Sequence, residues 1–135
     1  MVVATKSSRA AIAEAALRRF KAGDPSALDA VQVDLSSCTP FVRRVYEELR
    51  AVPPGTTVTY GELARRAGKP RAARAVGRAM ATNPFAPFVP CHRVVASDGG
   101  LTGFSAPGGV DSKRRLLDME ARWAAAKRMD VRANP

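Results

Sequence analysis

Proline and glycine cut the middle of this chain into short pieces. Thr39-Pro40, Pro53-Pro54-Gly55, Gly68-Lys69-Pro70 and Asn83-Pro84 all stand where a long helix would otherwise run. Proline lacks an amide proton and clashes with the preceding turn, and glycine adopts the left-handed conformation that ends helices. Only short helices fit between such stops. Their starts agree with this. Thr39 is an N-cap with Pro40 at the first helical position, and Phe41, Val42, Val45, Tyr46 and Leu49 then line one face of a helix to about Arg50. Thr56-Thr57-Val58 reads as a short extended stretch. Thr59, with Glu62 three residues on, forms a capping box for a helix ending at Ala67. A third helix is predicted from about Arg71 to Ala81. Two short helices joined by a glycine-containing turn make a helix-turn-helix layout.

The flanks are simpler. Ile12, Ala13, Ala16, Leu17 and Phe20 recur at helical spacing over residues 8–22 until Gly23, and Asp24-Pro25 caps a short helical piece to about Ala30. Val31, Val33 and Leu35 alternate with polar residues, which predicts a brief extended segment. This opening section reads as packing and connection. Downstream, Val94-Val95-Ala96 and Leu101-Thr102 flank the turn signal Ser97-Asp98-Gly99-Gly100, predicting a small hairpin or wing. Residues 103–109 read as loop, and a last helix runs from about Val110 to Lys127. The expected fold class is mainly α: residues 1–38 a short helical N-terminal extension, 39–128 a winged helix-turn-helix domain, and 129–135 a frayed tail.

Charge narrows the partner. The 135 residues carry 22 Lys+Arg against 12 Asp+Glu, a formal +10, which favours nucleic acid or another anionic surface. From Arg65 to Met80 there are six positive residues (Arg65, Arg66, Lys69, Arg71, Arg74, Arg78) and no acid. At roughly 100° per residue, Arg71, Arg74 and Arg78 fall within about one sixth of a turn of one another. Ala72, Ala73, Val76, Ala79 and Met80 lie on the opposite side, and small Ala75 and Gly77 allow close approach of a partner. Two readings fit: a stripe contacting DNA phosphates, or a solvated basic face. The missing acid favours DNA, although it says nothing of base sequence. No apolar run reaches membrane-spanning length, and Met1–Lys6 lacks the apolar core of a signal peptide, so a soluble, reduced, cytoplasmic monomer with no membrane partner is expected.

The chemistry centres on Pro90-Cys91-His92-Arg93-Val94-Val95, where the only histidine adjoins one of two cysteines. Thiolate, not thiol, is the nucleophile, and imidazole is suited to take that proton near neutral pH. Consecutive residues of an extended strand point to opposite faces, so contact between the pair requires a tight turn or a bridging water. A lone cysteine is more often a small buried hydrophobe. In the last helix Glu120 interrupts the apolar stripe Leu116, Leu117, Trp123, Ala124, and a carboxylate there must be paired. Its partner is either His92, giving a nucleophile–base–orienter set, or one of the arginines. Cys38 reads as a structural thiol. Two cysteines and one histidine do not make a four-ligand zinc site, so neither metal nor cofactor is expected.

Taken together, Pro90–Val95, the upstream Arg71-Ala72-Ala73-Arg74-Ala75-Val76-Gly77 and Asn83-Pro84 closely resemble the O6-alkylguanine-DNA alkyltransferase family (methylated-DNA–protein-cysteine methyltransferases), over about Thr39 to Ala121. The resemblance implies a winged helix-turn-helix that binds the minor groove of double-stranded DNA and flips O6-alkylguanine into a pocket, without a cofactor. It implies that Cys91 takes the alkyl group irreversibly, once per molecule. His92 would deprotonate Cys91 through a water, Glu120 would orient His92, and Asn83 would hold the turn presenting the thiol. Tyr60 would donate toward the guanine ring and also face the DNA. Met80, Val94, Phe104 and Ser105 would line the substrate pocket. Arg74 would fill the gap left by the flipped base, with Arg71, Arg78, Ala72, Ala73, Ala75 and Arg93 as further DNA contacts.

The sequence departs from the family in three ways. Fewer than forty residues precede Thr39 where the family usually carries a larger β-rich domain. Phe104 replaces a tyrosine common in the active-site loop, and Ser105–Gly109 looks longer than usual. Damage-sensing relatives replace the reactive cysteine, commonly by tryptophan, whereas Cys91 is present. A plain winged-helix regulator leaves Cys91-His92 and Glu120 unexplained, and a thiol hydrolase leaves the arginine stripe unexplained. Alkyl transfer accounts for all of them.

Overall fold

A computed structural model describes residues 6–101 and 108–133. α1 (Lys6–Lys21) ends at Gly23, whose φ of +105° suits glycine, and a 3-10 helix, Pro25–Ala30, follows. Asp24 caps that helix by accepting from the Ser26 amide at 3.1 Å. Val31, Val33 and Leu35 turn half inward, as their alternation predicts, yet no strand forms there. In place of a neighbouring strand, the Arg50 guanidinium donates to the Leu28 and Val31 carbonyls at 3.1 and 2.7 Å.

α2 (Pro40–Arg50) begins where the sequence places it, with Thr39 Oγ1 accepting from the Val42 amide. Val45, Tyr46 and Leu49 are its buried face. The Tyr46 hydroxyl donates to the Ala79 carbonyl at 2.8 Å, and burial pushes its pKa up to about 12, so it remains a donor. α3 (Tyr60–Arg66) is capped by Thr59, which accepts from the Glu62 amide at 3.1 Å. Only half of the expected capping box forms, because the Glu62 carboxylate turns to Arg66 at 2.8 Å. α4 (Ala73–Ala81) starts two residues later than expected. Ala72 at its N-cap has no side chain able to bond the first amides, and Arg71 therefore lies in the preceding turn, outside the helical stripe.

The expected second strand of the wing, Leu101-Thr102, lies partly outside the described residues. β1 (Val58–Thr59) and β2 (Val94–Val95) pair in parallel, Val58 opposite Val94 and Thr59 opposite Val95. The turn after β2 forms, with the Ala96 amide bonded to the Gly100 carbonyl, but no second hairpin strand is present among the described residues. Val94 and Val95 are both buried and find their partner in β1. α5 (Gly109–Ala133) extends beyond the expected end near Lys127, so the segment read as a frayed tail is helical through Ala133. Gly55, at φ +90°, lets the Pro53–Gly55 turn lie on α5; a Cβ there would sit 2.5 Å from the Ala124 Cβ. Among the described residues no helix is long and apolar enough to cross a membrane.

The core joins α2, β1, α3, α4 and β2 through Val45, Leu49, Val58, Leu63, Val76, Val89 and Val94, all nearly without exposure. Each such side chain stabilises by about 1.5–3 kcal/mol when fully buried. Cys91, Tyr60 and Phe85 pack on the margin of this cluster, so the segment carrying Cys91 rests on the core.

Candidate active site

Pro90 leads into a 3-10 turn, Cys91–Arg93, and the Val94 amide closes it on the Cys91 carbonyl. A turn this tight spreads three consecutive side chains around its axis. Cys91 is half-buried and faces Asn83, while His92 and Arg93 point inward, 1% and 2% exposed, toward Glu120. Asn83 is the hinge of this arrangement. Its amide donates to the Val89 carbonyl, its carbonyl accepts from the Phe85 amide, and the same side chain draws the Cys91 thiol pKa down. No hydrogen bond joins Cys91 to His92 among the described residues. Burial pushes the thiol pKa up, and the Asn83 side chain, the Lys113 charge and the local amide offset this only in part.

Glu120 has no exposure and satisfies both sequence readings at once. His92 Nε2 lies 2.9 Å from Oε2, while Arg93 donates from Nε to Oε1 at 2.9 Å and from its terminal nitrogen to Oε2 at 2.7 Å. Burial pushes the Glu120 pKa up, but the hydrogen bonds from His92 and Arg93 outweigh it and hold the carboxyl below its ordinary 4.5. An ionised carboxylate only accepts, so Nε2 carries the shared proton and Nδ1 of the neutral ring is the basic nitrogen.

Arg93 is the clear correction among the expected DNA contacts. Its guanidinium is buried, with two bonds to Glu120 and one to the Val52 carbonyl at 2.8 Å, so it faces the core instead of a phosphate. Lys113 is the buried charge beside Cys91 that the sequence reading missed. It is 1% exposed, donates to the Val94 carbonyl at 2.6 Å, and its charge draws the Cys91 pKa down, while its own is lowered by burial. Helical arithmetic contained the signal. Lys113 is seven residues before Glu120 and continues the stripe of Leu116 and Leu117.

Of the expected pocket residues, Met80 (7% exposed) and Val94 (0%) belong to the same cluster as Tyr60 and Cys91. Phe104 and Ser105 lie outside the described residues. On the outer side, Arg74 and Arg78 of α4 and Arg71 before it are exposed, and none forms an ion pair among the described residues. Ala72, Ala73 and Ala75 are half-buried between them and the core. A Cβ at Gly77 would meet nothing within 4 Å among the described residues. Among the described residues no group of three or more His, Cys, Asp or Glu could hold a metal ion.

Residues 40–122 match the family described as 6-O-methylguanine DNA methyltransferase, DNA binding domain. Over 110 residues the chain is 46% identical to the methylated-DNA–protein-cysteine methyltransferase of Mycobacterium tuberculosis, an overlap of 82% of this chain and 64% of that protein. The chain thus spans less than two thirds of that relative. Its fold is similar to the crystal structure of Mycobacterium tuberculosis OGT in complex with DNA, with a TM-score of 0.69, 40% identity, and coverage of 83% of this chain and 67% of the other. It also resembles S. pombe Atl1 in complex with damaged DNA containing O6-carboxymethylguanine, with a TM-score of 0.54, 36% identity, and coverage of 59% of this chain and 74% of the other.

Proposed function

Because the chain belongs to the 6-O-methylguanine DNA methyltransferase family, we propose that it repairs DNA by moving the alkyl group of O6-alkylguanine onto Cys91. The observation that carries this reading is the placement of Cys91. It is half-buried on the core, and the next residue, His92, has one nitrogen held by a buried carboxylate. Relatives solved with DNA, one with an O6-alkylated guanine, favour damaged double-stranded DNA as the partner.

The step balances as a displacement. The Cys91 sulfur forms a bond to the alkyl carbon as the carbon–O6 bond breaks, and the electron pair leaves with the guanine. The thiol proton passes to His92 through one water, and Glu120 stabilises the imidazolium that results. This base is needed because burial works against a preformed thiolate. Tyr60 would donate toward the departing ring. Met80 and Val94, with Phe104 and Ser105, would wall the pocket. The thioether is stable, so each protein molecule reacts once, as a monomer, in the cytoplasm.

DNA would meet α4 through Arg74 and Arg78, with Arg71 from the adjoining turn. Arg74 would stand in for the extruded base in the minor groove. Ala72, Ala73 and Ala75 keep that surface low. The test is mass spectrometry of the protein after mixing with duplex DNA bearing one O6-methylguanine. One methyl on the Cys91 peptide, saturating at one per protein and absent in Cys91→Ala, supports the reading. Binding without an adduct would overturn it and leave a lesion-binding protein.

A further inference from the structure

His92 is held from two sides, and only one belongs to the domain that carries Cys91. Glu120 fixes Nε2. A ring tied by one hydrogen bond still pivots about it, and Phe20 of α1 blocks that pivot. The two ring centroids lie 6.0 Å apart with planes tilted by 52°, and Phe20 itself is only 4% exposed. Phe20 and Ala16 are the buried apolar side chains of α1, so the helix docks largely through the residue that touches the histidine.

A second link ties the same segment to the thiol's own loop. Arg50 donates from its terminal nitrogen to the Leu28 and Val31 carbonyls and from Nε to the Phe88 carbonyl at 3.0 Å. Phe88 lies three residues before Cys91. One guanidinium therefore joins the N-terminal segment to the loop that enters the reactive turn.

We infer that α1 is built into the reactive site through Phe20, which acts as a positioning residue for the His92 ring. The inference rests on the reading of Cys91 and His92 as nucleophile and base, and it extends the site to a region whose sequence suggests only packing. Phe20 touches no substrate. It confines the ring so that Nδ1 keeps one direction, and it keeps water from that face of the imidazole.

The test compares Phe20→Ala, Phe20→Leu and Leu28→Ala, the last equally buried but in the 3-10 helix after α1 and with no aromatic ring to set against His92. Single-turnover methyl transfer at saturating duplex should fall roughly tenfold in both Phe20 variants, since small misplacements of a catalytic group are costly. Duplex affinity should be unchanged. Leu28→Ala should lower Tm while leaving the transfer rate at the wild-type value well below Tm. Because His92 is the only histidine, its ring resonances give a readout independent of activity. They should lose the ring-current shift from Phe20 in both Phe20 variants and keep it in Leu28→Ala. Phe20→Leu preserves most of the buried volume should Phe20→Ala fail to fold. Equal slowing by Phe20→Leu and Leu28→Ala, or transfer unaffected by Phe20→Leu, would overturn the inference. A wild-type protein that transfers nothing would sink the functional reading instead, and the histidine resonances would still decide whether Phe20 confines the ring.

Discussion

Two arginine environments lie within one small domain, and they serve opposite ends. Arg93 is buried and spends every bond inside, on Glu120 and the Val52 carbonyl. Arg74 and Arg78 stand exposed on α4 with no acid paired to them among the described residues. The difference is where the counter-charge comes from. Inside, the protein supplies a carboxylate and thereby fixes a histidine. Outside, it withholds one, leaving charge available to an external anion. Sequence places Arg93, Arg74 and Arg78 alike in a basic chain; burial separates them.

The largest effect should come from breaking the inner set. Glu120→Ala leaves Arg93 buried without its partner, and loss of one member of a buried ion pair costs about 3–5 kcal/mol. Chemical denaturation measures this, and a loss below about 1 kcal/mol would mean that the cluster does not hold the fold together. Acid should act on the same bond. The folded Glu120 pKa lies below its ordinary 4.5. Its contribution is therefore complete above the unfolded value and is lost as pH falls through the folded one. Unfolding midpoints that stay level from neutral pH to well below 4.5 would contradict this assignment.

Next in size is the link from the inner set to the thiol. Lys113→Met removes a charge that draws the Cys91 pKa down, so the pH dependence of iodoacetamide alkylation at Cys91 should move to higher pH. Lys113→Arg should largely restore it. An unchanged profile in a folded Lys113→Met protein would show that Lys113 does not act on the thiol. The outer set should respond to salt instead. If each exposed arginine neutralises one phosphate, Arg78→Ala reduces the log–log salt slope of duplex binding by about 0.9. Arg93→Lys, acting inside, should leave that slope alone.

What the sequence made legible follows the same division between local and non-local physics. The boundaries of α2 and the start of α3 are local, set by Thr39-Pro40 and Thr59, and they agree with the structure. Glu120 was legible as a carboxylate in need of a partner, because it interrupts an apolar stripe, and the structure pairs it with both His92 and Arg93; Asn83 was reached only through the family resemblance. The pairing of β2 with β1 was not legible. It joins residues 36 positions apart, Val58 with Val94, whereas the Gly99-Gly100 turn advertises a hairpin. Burial of Arg93 and Lys113 was hidden for a related reason: charged residues read as surface until a distant carbonyl or carboxylate accounts for them. Phe20 looked like any helix-packing aromatic, since its neighbour in space lies 72 positions along the chain.

The smallest predicted effect tests the outer face most directly. Glycine within a helix costs about 1 kcal/mol relative to alanine, and at Gly77 nothing among the described residues would meet a Cβ within 4 Å. The fold therefore gives no steric reason for glycine there. Gly77→Ala should stabilise the free protein by about 0.5–1 kcal/mol while weakening duplex binding, because the added methyl would stand where the DNA backbone comes close. Stabilisation with undiminished affinity would show that DNA does not pack against this part of α4. The contact would then rest on the long arginine side chains alone, reaching across a gap that a methyl group does not fill.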